Sequence, residues 1–214
     1  MKPNIRYLML GLALLIAVSL LLWNASRPQD MTTDELASLG VVVLPEPVPM
    51  TELALVDEDG GIFDRDDLQG KWTFGFFGYT HCPDICPVTL AQMDTVFERL
   101  ETQGDTETLA NVQRLFVSID VKRDDHNAVK KYTDNIDPDI IGVAGDPSAI
   151  KHFADSVYVG YKQLGDPNAT ENYLVEHQGN IVIFDRNGDC YGFIKSPFEE
   201  HLLARIFVGL ARLS

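Results

Sequence analysis

Two cysteines stand close together in the chain, and each is followed directly by a proline. The segment FGYTHCPDICPVTL places Cys82 and Cys86 after an aromatic run and before a stretch with helical spacing. Because proline suits the first position of a helix, Cys86 is predicted to cap a helix that begins at Pro87. Both sulfurs would then lie at the positive end of that helix, where the dipole and free amides lower a thiol pKa and favour a metal-binding thiolate.

The three residues between the cysteines allow either a disulfide or two thiolate ligands around one metal ion. Two soft thiolates in a site with few ligands favour Cu(I), whereas zinc normally takes further strong ligands. A purely structural disulfide is the alternative, and an exported domain would permit it. Such a short ring would add little stability, so the spacing favours a functional pair. The third cysteine, Cys190, is predicted to serve as a small apolar side chain in a hairpin strand.

The chain has five histidines, and one of them is a candidate third ligand. His126, His152 and His201 fall in predicted helices among charged residues, where exposure is the default. His81 adjoins Cys82 but is expected to point away from it. His177, in YLVEHQGNIVIF, leads into a predicted hairpin strand, where a thioredoxin-like fold would bring it beside the cysteines. Its imidazole would complete a trigonal Cu(I) site, or hold Cu(II) with one more ligand. Spacing alone leaves a hydrogen-bonded structural histidine equally open.

Alternating strands and helices are predicted around these residues. The aromatic run 71–79 suits a buried central strand, and apolar residues from Leu90 to Leu100 recur at helical spacing before Gly104. Further strands are predicted at 112–120 and 140–144, helices at 124–132, 147–155 and 198–210, and hairpins at 53–63 and 181–194. Because strands alternate with helices, parallel crossovers are expected. The predicted fold class is therefore α/β, thioredoxin-like with an N-terminal hairpin, over residues 53–214.

Composition indicates one globular domain with an acidic surface. The 214 residues include 45% apolar and 23% charged residues, and 17 Lys and Arg stand against 32 Asp and Glu, a formal net charge of −15. Such a surface repels phosphate backbones, which argues against nucleic-acid binding.

The N-terminal region has the pattern of a membrane anchor. Residues 7–23 carry no charge, and Lys2 and Arg6 precede them, so a single transmembrane helix with its N-terminus in the cytoplasm is predicted. A cleaved signal sequence is the alternative, and either reading exports the rest of the chain. The predicted organisation is an anchor or signal over 1–23, an extended proline-rich stalk over 24–52 that includes LPEPVPM and a short helix near 33–39, and the domain over 53–214.

The motif FGYTHCPDICP, followed far along the chain by YLVEH before a hairpin, resembles the Sco (SenC-type) family of copper chaperones for cytochrome c oxidase. The likeness covers about residues 45–212. It implies a thioredoxin-like fold behind a membrane anchor, with Cys82, Cys86 and His177 as copper ligands. Two departures stand out: SIDVKRDD retains Arg123 and Asp124 without the proline that the family often has, and Glu176 replaces the common Asp before the histidine.

The resemblance also implies partners and a location. Family members deliver copper to the Cu(A) centre of oxidase subunit II or reduce its cysteines, so subunit II and other copper carriers are the expected partners. The expected location is the bacterial inner membrane, with the domain in the periplasm. A thiol-disulfide oxidoreductase without obligatory copper is the alternative, although such enzymes more often carry Cys-x-x-Cys. A peroxidase is disfavoured because YTHC lacks the Thr-x-x-Cys pattern of peroxiredoxins.

Overall fold

The computed structural model of the chain describes residues 9, 11–12, 14–19 and 31–213. It comprises two units, Met1–Asp30 and Met31–Ser214. In the first unit the described residues are helical. Within the described part of the chain, no helix is both long and apolar enough to cross a membrane. The predicted span over 7–23 lies partly outside the described residues, as do residues 24–30 of the predicted stalk.

An eight-stranded mixed sheet forms the centre of the second unit, and a separate two-stranded sheet pairs β7 with β8. The strands are β1 Val41–Val48, β2 Leu55–Asp57, β3 Ile62–Phe63, β4 Trp72–Gly78, β5 Val112–Ser118, β6 Ile140–Ala144, β7 Tyr161–Gln163, β8 Val175–His177, β9 Ile181–Phe184 and β10 Cys190–Ile194. Their order in the large sheet is β1-β10-β9-β4-β5-β6-β2-β3. Strands β4, β5 and β6 run parallel, and the remaining neighbours pair antiparallel.

Helices cover both faces of this sheet. They are α1 Thr33–Ser38, α2 Ile85–Gln103, α3 Thr106–Asn111, α4 His126–Asp134, α5 Pro147–Ser156 and α6 Glu200–Ala211. Phe207 of α6 stacks on Phe74 of β4 at 3.8 Å between ring centroids and meets Phe97 of α2 edge-on. Side chains alternate between faces along a strand, so Phe77 of β4 points the other way and packs against Phe153 of α5 at 5.1 Å.

These contacts explain why β4 is apolar along its whole length. All of its residues are buried, because both faces are covered and both edges are paired. The predicted central strand, the helix after the cysteines, the hairpin at 53–63 and the mixed α/β class are confirmed. Helix α2 ends at Gly104, whose left-handed backbone (φ 69°) closes the last turn.

The stretch predicted as a stalk differs in the structure. Residues 41–48 form β1, which pairs antiparallel with β10 at the edge of the large sheet, starting from Val41 opposite Ile194. An edge strand tolerates proline because its outer N–H groups need no partner, and the register of β1 shifts between Val43 and Val48, around the prolines. The composition therefore predicted correctly that residues 41–48 are extended. The prediction that they form a stalk outside the domain was wrong, since the globular unit already begins at Met31.

Candidate metal centre

Two sulfurs and one imidazole converge at the carboxyl end of β4. One ligand atom from each of Cys82, Cys86 and His177 lies within 4.8 Å of the other two. Cys86 Sγ is 3.5 Å from His177 Nε2, and both cysteines are free thiols. The structure thus brings together the three side chains that the sequence singled out. Their service as metal ligands stays a prediction.

The cysteine segment is a tight turn between β4 and α2. The backbone N–H of Cys82 donates to the carbonyl of Tyr79 at 3.2 Å, and α2 begins at Ile85 with Asp84 as its N-cap residue. Cys86 therefore lies inside the first helical turn, and the prediction that it caps a helix starting at Pro87 was wrong by two residues. Proline is still accommodated because first-turn amides need no helical partner.

Burial governs the Cys86 thiol. The side chain is fully buried, and this burial raises its pKa, with its hydrogen bond to Cys82 acting in the same direction. A helix dipole contributes about 0.3–1 kcal/mol, whereas full burial shifts a pKa by up to about 3–5 units. The expectation that the dipole lowers the pKa of both thiols was therefore wrong for Cys86.

His177 presents one nitrogen to the sulfurs. It ends β8, and its ring meets the edges of Phe76 and Tyr79 at 5.9 Å each. Its Nδ1 lies 3.0 Å from the carbonyl oxygen of Gln178. Because a carbonyl can only accept a hydrogen bond, Nδ1 must carry the proton, and the lone pair of Nε2 is left facing Cys86. This is the tautomer that a metal ligand needs.

Burial also lowers the pKa of His177. On acidification, the His177 ring therefore gains its second proton in the unfolded chain at a higher pH than in the folded chain. The stability that the neutral ring contributes is present above about pH 6.5 and is lost as pH falls through the folded-state pKa. We expect the stability advantage of the reduced, copper-free protein over His177→Gln to shrink between about pH 7.5 and about pH 5.5, by at most about 1.4 kcal/mol. Urea unfolding of both proteins measures it, and an advantage that grows on acidification contradicts it.

Of the other histidines and Cys190, all but His126 have the surroundings that the sequence predicted. His152 and His201 are exposed, and His201 pairs with Glu199 at 3.2 Å. His81 is exposed, with its Nδ1 2.9 Å from Thr80 Oγ1. Cys190 is fully buried in β10, as expected, and burial raises the pKa of its thiol to about 12. His126 is half-buried in α4, less exposed than predicted.

The loop after β5 supports the centre in a way that sequence reasoning missed. Asp124 has no exposed side-chain surface and accepts hydrogen bonds from Thr80 and Ser118. Asp120 pairs with Arg123 and accepts from the hydroxyl of Tyr173. The sequence signal was the retained Arg-Asp pair in SIDVKRDD, but its contacts join residues far apart in the chain and could not be read from spacing.

Comparison with known proteins identifies relatives in sequence. The family model described as SCO1/SenC matches residues 47–210. A SCO2-like protein of Rickettsia prowazekii is 32% identical over 134 residues, which are 63% of each chain, so the match spans slightly under two thirds of that relative. A Stutzerimonas stutzeri protein, named as a candidate copper-binding protein, is 30% identical over 198 residues, 90% of each chain.

The fold has solved counterparts as well. The crystal structure of Arabidopsis thaliana ScoI with copper bound is 27% identical and superposes with a TM-score of 0.67, covering 77% of this chain and 99% of that one. This likeness confirms the predicted thioredoxin-like α/β fold of the globular unit.

Proposed function

Because this chain belongs to the SCO1/SenC family, we propose that it is a metallochaperone that carries one copper ion on Cys82, Cys86 and His177. The observation that supports this most is the convergence of the three ligand atoms within 4.8 Å. With metal–ligand distances of about 2.0–2.3 Å, a trigonal site separates its ligand atoms by about 3.5–4 Å. The 3.5 Å between Cys86 Sγ and His177 Nε2 is therefore close to the bound geometry.

The donor set favours copper in the reduced state. Two thiolates and one imidazole are soft and intermediate ligands, and three ligands suit Cu(I) better than zinc. The copper-bound structure of the Arabidopsis relative supports copper as the metal. Cu(II) would be held with one more oxygen ligand from water or a carboxylate.

Loading and transfer follow from the unequal exposure of the two thiols. Cys86 is fully buried with a raised pKa, so an incoming ion must displace its proton, and binding weakens as pH falls. Cys82 is only partly buried. Exchange with another carrier therefore starts at Cys82, while Cys86 and His177 still hold the ion.

The proposed recipient is the Cu(A) centre of cytochrome c oxidase subunit II, or another copper carrier, as the family resemblance implies. The same thiols support a second role. Cys82 attacks a disulfide of the acceptor, the Cys86 thiol then attacks the mixed disulfide, and two acceptor thiols leave while Cys82 and Cys86 become a disulfide. This exchange is the alternative function, and it needs no copper.

The proposed location is the bacterial inner membrane, with residues 7–23 as a single-pass anchor and the domain in the periplasm. The uncharged run behind Lys2 and Arg6 supports this orientation. Fractionation of cells that produce the full chain tests it: protein released by salt washing alone would argue against an anchor, and release only by detergent would support one.

Replacing His177 with alanine tests the three-ligand site. Loss of the imidazole should weaken Cu(I) binding by about 10–100-fold or more, because even the partners that orient a ligand contribute that much. The measurement is a competition titration of the reduced protein against a Cu(I) chelator. His201→Ala is the matched control, since His201 is exposed and pairs with the equally exposed Glu199. Equal affinities in the two variants would remove His177 from the site, and no copper binding by the unaltered protein would end the proposal.

A further inference from the structure

The loop after β5, residues 120–124, contacts the turn that carries the cysteines. The Asp124 carboxylate accepts from the backbone N–H of Thr80 at 2.8 Å and from its hydroxyl at 2.6 Å, and also from Ser118 Oγ at 2.6 Å. Asp124 is buried, so these charge-assisted hydrogen bonds are not weakened by water. One end of the loop is thereby fixed to the residue two positions before Cys82.

The same loop also contacts the segment that leads to His177, through hydrogen bonds and packing at Tyr173. The Tyr173 hydroxyl donates to Asp120 Oδ1, while Arg123 Nε donates to the other oxygen of that carboxylate at 2.5 Å. The Arg123 guanidinium lies 3.7 Å above the Tyr173 ring. Burial raises the pKa of Tyr173 to about 12, so its hydroxyl keeps the proton that it donates.

His177 needs such support because its strand lies outside the large sheet. Strand β8 has three residues, and among the described strands it pairs with the equally short β7 alone. An isolated two-stranded sheet is marginally stable in water. The backbone ladder alone therefore does not fix His177 relative to the cysteines, and contacts with the remainder of the domain must do so.

We propose that Tyr173 is a positioning residue for the third copper ligand: its hydrogen bond to Asp120 and its packing on Arg123 hold β8 so that His177 stays within bonding reach of the sulfurs. The proposal rests on the function proposed above. It also assigns a purpose to the loop, which links the cysteine turn and the histidine strand through one buried cluster. Lys122 adds to this link, because its Nζ donates to Gln163 in β7 at 2.8 Å and to the carbonyl of Pro167 at 2.7 Å.

The test is a double-mutant cycle of Tyr173→Phe with His177→Ala. Tyr173→Phe removes the hydroxyl and keeps the ring. We expect it to weaken Cu(I) binding about tenfold when His177 is present and by less than about twofold when His177 is alanine. A general loss of stability would instead weaken binding equally in both backgrounds. Tyr191→Phe is the matched control, because Tyr191 packs edge-on against Trp72 at the opposite end of β4 and should change neither affinity.

The outcomes separate the two proposals. If His177→Ala alone leaves the affinity unchanged, the three-ligand function fails; if it weakens binding but the effect of Tyr173→Phe is additive, only the positioning role fails.

A copper-free measurement complements this: nuclear Overhauser contacts from the His177 ring to Phe76 and Tyr79 should weaken in reduced Tyr173→Phe and persist in Tyr191→Phe. If Tyr173→Phe fails to fold, Lys122→Met replaces it in the cycle, because it alters an exposed side chain. It should weaken Cu(I) binding less than Tyr173→Phe and only when His177 is present. A loss of affinity that does not depend on His177 overturns the proposal.

Discussion

Replacing Cys86 with serine is expected to abolish the retention of Cu(I) against a chelator, with a fall in affinity of about 100-fold or more. The hydroxyl that replaces the thiol is a hard, weak ligand for a soft ion, and Cys86 faces both Cys82 and His177 from a fully buried position. The loss should therefore exceed the cost of removing a group that only orients a ligand, which is about 10–100-fold. Competition titration of the reduced protein, with copper counted per chain, measures it.

Cys190→Ala is the matched control for this loss. Cys190 is equally buried but lies in β10, opposite Phe184 rather than beside the metal centre. Its removal should cost some stability through lost packing and leave one copper per chain. Full copper retention by Cys86→Ser, or loss of copper in Cys190→Ala with the fold intact, would contradict the assigned ligands.

Gly78→Ala is expected to displace the buried sulfur although it alters no ligand. A Cβ at Gly78 would lie 2.7 Å from Cys86 Sγ, 3.0 Å from Phe76 and 3.1 Å from Phe116. Real Cβ atoms essentially never come as close to another atom as 2.7 Å, and the two ring contacts are also tighter than usual. The buried strand and rings leave little room for adjustment. Overpacking of this kind costs about 1–3 kcal/mol. We expect that loss in denaturant unfolding, together with weaker Cu(I) binding.

Gly160→Ala separates this clash from the general effect of adding a methyl group. No atom of the residues that the structure describes lies within 4 Å of a Cβ at Gly160, so the stability and copper affinity of Gly160→Ala should stay close to those of the unaltered protein. If Gly78→Ala behaves in the same way, the Cys86 sulfur is not confined as the structure indicates.

The parts of the fold that the sequence predicted are those with strong local patterns. The aromatic run of β4, the helical spacing after Cys86 and the Asn187-Gly188 turn each determine one element through short-range physics. Strand β1 was misplaced because prolines are equally compatible with a stalk and with a sheet edge. Helix α3 was missed, since its six residues follow α2 after a single turn and bury little.

The metal centre, like the fold, has parts that the sequence predicted and parts that it did not. Residue types and spacing indicated the cysteine pair but left His177 open, and only the family resemblance made it the third candidate ligand. Neither predicted the raised pKa of the Cys86 thiol, because its burial depends on how α2 packs against β4. The ties from Asp120 to Tyr173 and from Asp124 to Thr80 join residues 53 and 44 positions apart. The residues that they join are brought together by the topology of the sheet, and local sequence patterns do not predict that topology.

The deep burial of Cys190 provides an internal probe of folding. Alkylating reagents cannot reach this sulfur until the structure around β10 opens, so its modification rate reports the free energy of that opening. Cys82 and Cys86 would be shielded by metal or by a mutual disulfide. A mass spectrum after timed labelling could thus follow conformational opening and occupancy of the centre separately in one sample.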